Sequence, residues 1–210
     1  HGGDPKFRLD AIEVLEELGD PSAVPILIQA MERWGDRGAP GALLKLGGRE
    51  AEDALIRQVN RPYPEGIAWS AAGLLGASGI TRAMPALRQA VEEAYPMSVV
   101  LRAAAALGEL GDTVTAPNMV EWLGHEDRDR RRRAAVALGY LGDGSATGAL
   151  MAALRDPDGE MREGAARSLG LRGDRAAIPS LTAALDDIDK RVREAAGHAL
   201  EWLARQEKKG

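Results

Sequence analysis

Apolar positions along the chain come in short bursts at helical spacing, and a glycine, most often in a Gly-Asp pair, interrupts each burst. Around Gly142, for example, Ala135, Leu138 and Leu141 recur at i, i+3 and i+6 before the turn, and Leu150 and Leu154 follow at i and i+4 after it. Both sides read as amphipathic helices, antiparallel across the turn. The unit then repeats. Ala106-Leu107-Gly108-Glu109-Leu110-Gly111-Asp112 returns as Ala137-Leu138-Gly139-Tyr140-Leu141-Gly142-Asp143 and again as Ser168-Leu169-Gly170-Leu171-Arg172-Gly173-Asp174, with Gly111, Gly142 and Gly173 set 31 residues apart. Weaker copies put anchors at Gly19, Gly47 and Gly79. A fixed period of this length predicts an array of supersecondary units, each unable to bury its apolar stripe alone. The expected fold is an all-α solenoid of about six stacked helix pairs, with residues 191–206 supplying a C-terminal half repeat.

Local chemistry supports the boundaries. The anchor glycines stand where a helix ends in a left-handed residue, which glycine adopts without steric cost. Pro25, Pro85, Pro117 and Pro179 fall in the first turn of the second helices, where a missing N–H costs nothing. Asp4, Asp127, Asp158 and Asp189 read as N-caps of first helices.

The chain has 210 residues, of which 45% are hydrophobic but only 4% aromatic, so its core must be built from small side chains on closely packed helices. Residues 4–206 are expected to form a single repeat domain, with 1–3 a tag remnant or disordered start and 207–210 a disordered tail. The chain has no cysteine, which excludes disulfides, thiolate metal sites and cysteine nucleophiles. A formal charge of -5 argues against phosphate neutralisation on the scale a nucleic-acid binder needs. No apolar run approaches the roughly 18 residues of a membrane span. The expected partner is therefore a protein or peptide, not nucleic acid or a membrane interior, and a cytoplasmic location is expected.

The motif Val192-Arg193-x-Ala195-Ala196-x-x-Ala199-Leu200, with Leu138-Gly139-x-x-Gly142-Asp143 and Ala177-x-Pro179-x-Leu181-x-x-x-Leu185, resembles the HEAT-like repeats of the phycobilisome-lyase type. The resemblance spans residues 4–206, is strong from 99 onward and is loose where Gly47-Gly48 replaces Gly-Asp. It implies a right-handed α-solenoid with second helices on the concave face. It also implies an ion-pair ladder of Asp112 with Arg131, Asp143 with Arg162, and Asp174 with Arg193.

Aligning the second helices on their proline position gives the candidate binding columns Ile28, Ile56, Arg88, Val120, Met151 and Thr182, with Ala152 and Ala183 beside them. An apolar strip outside the core is a binding signal. An alternative site is an aromatic rim of Trp34, Tyr63 and Tyr95, which follow their anchors by nearly equal intervals into equivalent loops. His125-Glu126 is similar to the iron-holding pairs of HEAT-repeat deoxyhypusine hydroxylases, but one such pair makes no metal centre. The five arginines within 128–133 are diluted by acids and spread around a helix. No catalytic, metal or cofactor residue is named. The expected function is a non-enzymatic scaffold binding a peptide or helix on the concave face. The alternatives are a chromophore (bilin) lyase or lyase subunit, and a structural spacer.

Overall fold

A computed structural model describes residues 5–61, 65–93, 96–141 and 145–207. The helices are α1 (Pro5–Leu18), α2 (Val24–Trp34), α3 (Ala39–Leu46), α4 (Arg49–Val59), α5 (Glu65–Ala77), α6 (Met84–Glu92), α7 (Met97–Glu109), α8 (Thr115–Trp122), α9 (Arg128–Leu138), α10 (Ser145–Ala153), α11 (Gly159–Arg172), α12 (Ile178–Ala183) and α13 (Lys190–Glu207). Among the described residues there is no strand, and odd-numbered first helices alternate with even-numbered second helices as the periodicity predicts. Two compact units divide at Leu110 and Gly111: α1 to α7 form the first and α8 to α13 the second.

The turn chemistry is that of the sequence. Gly19, Gly47, Gly79, Gly111 and Gly173 all have φ between 67° and 73°; the equivalent Gly142 lies outside the described residues. Asp127 caps α9 by accepting the N–H groups of Asp129 and Arg130, and Asp158 caps α11 through Glu160. Pro25, Pro85 and Pro179 occupy the first turn of α2, α6 and α12. Asp4, read as a cap of α1, lies outside the described residues.

Packing within each unit depends on small residues. The pairs Ala71-Ala72, Ala103-Ala104, Ala134-Ala135, Ala165-Ala166 and Ala195-Ala196 are buried along the first helices. They let α5 lie along α7, and α11 along both α9 and α13. Glycine takes the closest crossings. A Cβ on Gly76 would sit 2.6 Å from Ala106 Cβ and 2.7 Å from its Cα, and one on Gly170 would sit 2.7 Å and 2.9 Å from the same atoms of Ala199. In the register that links Gly139 to Gly170, the next position on α13 is Glu201, which is ion-paired to Arg205 at 3.0 Å.

The second helices send Leu27, Leu55, Leu87, Met119, Leu150 and Leu181 into the core, all essentially inaccessible. Leu185, one helical turn after the buried Leu181, is 39% exposed. α12 ends at Ala183 in a 3-10 turn over Ala184–Asp186, so Leu185 lies past the α-helical register, while Ala184 is buried as its counterparts Ala30 and Ala90 are.

Candidate functional site

Helical spacing puts the predicted columns on the side of each second helix away from its leucine stripe. Ile28, Ile56, Arg88, Val120 and Met151 are half-buried, while Ala152, Thr182 and Ala183 are exposed. Thr182 turns its hydroxyl back onto Ile178 O at 2.9 Å, so it presents a methyl group rather than a donor. In the second unit α10 and α12 bring Met151 and Ala183 together. With Leu154, Ser180 and Ala184 they line a pocket of about 170 Å3 whose edge carries Arg155 and Asp187.

Asp187 is held rigidly. Arg162 donates from Nε and Nη2 to its two carboxylate oxygens, both at 2.7 Å, and Asp187 also accepts the Asp189 N–H at 2.8 Å. The Arg162 hydrogen bonds hold its pKa below the usual carboxylate value, against the opposing effect of burial.

This pair shows how the ladder is built. Asp112, buried, accepts the Thr115 N–H at 2.9 Å, and Arg131 points instead to Asp156 at 3.3 Å. Asp174 accepts from Thr147 Oγ1 at 2.7 Å and from the Ala176 N–H, both of which lower its pKa, the Thr147 bond most. Arg193 donates to the carbonyls of Asp187 and Ile188 at 2.6 and 3.1 Å. Asp143 lies outside the described residues, and Arg162 takes Asp187. The expected pairings of Asp112 with Arg131 and of Asp174 with Arg193 are therefore corrected. Each of Arg131 and Arg162 grips two carbonyls of the loop entering its own helix and then reaches the carboxylate one loop further on. The post-turn carboxylates are drawn away because the N–H groups opening the following helical segment lie one to three residues ahead of them, within Asx-turn reach.

Of the aromatic rim, Tyr63 and Tyr95 lie outside the described residues. Trp34 is 38% exposed, with the Arg8 guanidinium 5.7 Å from its ring centroid and Arg8 bound to Asp36 at 3.0 Å. Trp34 thus packs against its own unit. The arginines of α9 are likewise engaged: Arg128 with Asp158 and Glu160, Arg132 with Glu160, and Arg130 over the Trp122 ring at 5.2 Å. His125 Nδ1 accepts the Asp127 N–H at 2.9 Å. Among the described residues no group of three or more His, Asp or Glu side chains is placed to hold a metal.

A second concavity went unnoticed in the sequence. Arg167, Gly170 and Leu171 of α11 face Ala195, His198, Ala199 and Trp202 of α13 across a cleft of about 300 Å3. Its signal was legible: Tyr140, Leu171 and Trp202 stand 31 residues apart, immediately after the close-approach position.

Helix pairs stacked through alanine and glycine, with loop carboxylates clamped by guanidinium groups, define a helical repeat protein of the α-solenoid class. The model for HEAT repeats matches residues 52–138 and 116–201, and that for the PBS lyase HEAT-like repeat matches 7–33. The chain belongs to the HEAT-repeat family. No protein of curated function matches it significantly. Among solved structures it is similar to the complex of CpcE and CpcF of phycocyanin lyase from Nostoc sp. PCC7120, at 24% identity and a TM-score of 0.51, covering 98% of this chain and 84% of that one. Human deoxyhypusine hydroxylase in complex with glycerol matches at 22% identity and a TM-score of 0.46, over 97% and 81% of the two chains. A designed armadillo repeat protein in complex with the peptide (KR)4 matches at 16% and 0.49, over 86% and 99%.

Proposed function

We propose that this protein is a non-enzymatic scaffold that binds a peptide or helix along its second-helix face. The supporting observation is the pocket between α10 and α12, where Met151, Leu154 and Ala183 share the lining with Ser180, Arg155 and the fixed Asp187 carboxylate. An extended or helical ligand would seat an apolar side chain there and meet one charge of each sign at the edge. Peptides selected by display on the purified protein supply the test. Met151→Glu or Ala183→Glu places an uncompensated charge in that contact and is expected to weaken a selected peptide tenfold to hundredfold in calorimetry, with the melting temperature unchanged. If both variants bind as wild type does while Trp34→Ala abolishes binding, the site is the rim.

A second reading, a chromophore lyase subunit, is favoured by the PBS lyase HEAT-like match over residues 7–33. Mixing the protein with a free bilin separates the two. A scaffold leaves the tetrapyrrole absorption spectrum unchanged, whereas a saturable spectral shift supports the lyase reading.

A further inference from the structure

The repeat places one large apolar side chain per first helix on the outside of the second unit. Tyr140, which follows the C-terminal end of α9, is 38% exposed, Leu171 on α11 52% and Trp202 on α13 47%. Their equivalent positions mean that the stacking of α9, α11 and α13 lines them up across the helices. Neighbouring axes lie about 8–10 Å apart, so the row advances by roughly that distance per repeat. Core packing does not require this row, because the buried residues of the same helices, Leu138, Leu169 and Leu203, fill the interior. Three exposed large apolar side chains in register form a surface patch of the kind that marks an interaction site.

The row also borders a shaped cavity. Because Gly170 has no side chain and Ala195 and Ala199 have short ones, the surface sinks between Leu171 and Trp202 into the cleft of about 300 Å3. Two further side chains line it, Arg167 and His198, and among the described residues no carboxylate does. Arg167 is tethered by Glu163 at 2.7 Å, outside the cleft lining, which orients the guanidinium while leaving further N–H donors. The walls are apolar and the rim carries the Arg167 guanidinium and the His198 imidazole. That combination complements a ligand with a large apolar side chain flanked by carboxylates.

From this geometry we infer that the outer face of the second unit is a docking surface for an acidic peptide segment of another protein. Its apolar anchors occupy the Leu171–Trp202 cleft and extend along the row toward Tyr140. A segment in the polyproline II conformation turns once in three residues and rises about 9 Å, so leucine or an aromatic residue at every third position, with aspartate or glutamate between, keeps its anchors on one face and matches the row. The surface is distinct from the pocket between α10 and α12, and this inference does not depend on that reading.

The probe is a synthetic nonamer, capped at both ends, with leucine at every third position and aspartate or glutamate elsewhere. Its counterparts carry lysine in place of the acids or alanine in place of the leucines. Binding is followed by fluorescence anisotropy of the labelled peptide and by Trp202 emission, with Trp202→Phe identifying the responding tryptophan. The acidic peptide is expected to bind saturably and at least tenfold more tightly than either counterpart, and to weaken as salt is raised. Leu171→Asp and Arg167→Glu are each expected to weaken it at least tenfold while the circular dichroism melt stays that of wild type, since both side chains are exposed. Met151→Glu is expected to leave binding unchanged. Equal affinity for the acidic and lysine peptides, the absence of saturable binding, or loss of binding in Met151→Glu but not in Leu171→Asp would each overturn the inference. So would concentration-dependent dimerisation of the peptide-free protein that Leu171→Asp abolishes, because the row would then be covered by a second copy.

Discussion

Arg162→Met is expected to lower the stability of the second unit by about 3 kcal/mol, near the lower end of the cost of breaking a buried ion pair. The Arg162 and Asp187 side chains are only 12% and 11% exposed. Removing the cation leaves a carboxylate that has lost water on most sides and keeps only the Asp189 N–H, while the carbonyls of Asp156 and Pro157 lose their shared donor. Thermal melts of Arg162→Met, Asp187→Leu and the double variant form the measurement. The double variant is expected to be more stable than Arg162→Met alone, because it removes the stranded charge as well. A double variant whose loss equals the sum of the two single losses would show that the pair is not coupled. The same contacts fix the response to acid. Asp158, Asp174 and Asp187 all have depressed folded-state pKa values, held down chiefly by Arg128, Thr147 and Arg162 respectively. A carboxylate of this kind stabilises the fold fully above its unfolded value of roughly 4 and loses that contribution as pH falls through its lower folded value. Stability from these groups is therefore expected to hold down to about pH 4–5 and decline below, less steeply in Asp187→Asn.

Gly76→Ala and Gly170→Ala are expected to destabilise, although replacing glycine by alanine within a helix ordinarily stabilises by about 1 kcal/mol. At Gly170 the added methyl meets Ala199 Cβ at 2.7 Å and Cα at 2.9 Å, and at Gly76 it meets the same atoms of Ala106 at 2.6 and 2.7 Å. Neither obstacle is a flexible side-chain tip, so two helices must move apart. Overpacking of this sort costs about 1–3 kcal/mol, which outweighs the propensity gain. The melting temperature is expected to fall by several degrees at this chain size. Gly148→Ala in α10 is the control, since its Cβ would meet nothing within 4 Å and only the propensity gain remains. A rise in all three variants would mean that the first helices are not packed at glycine contact.

The helix pairs, their turns and their caps were legible from local chemistry. Positive φ at the anchor glycines, proline in the first turn and aspartate at the N-cap each follow from what a few neighbouring residues can do, and the spacing of 31 carried that reading along the array. Where tertiary contacts compete, the sequence was silent or misleading. Both Asp156 and the post-turn Asp112 lay within register of Arg131. The choice depended on Asp112 having a backbone N–H at 2.9 Å, which can be known only once the turn is folded. Leu185 follows the buried Leu181 by four residues as a helical stripe would, but α12 ends in a 3-10 turn before it and Leu185 is exposed. The reason for Gly139 and Gly170 appears only when Ser168 and Ala199 of the next first helix lie against them. The period determined which residues are equivalent; the distances between stacked helices decided which equivalent residues touch, because a contact between repeats depends on the packing of two helices and not on either one alone.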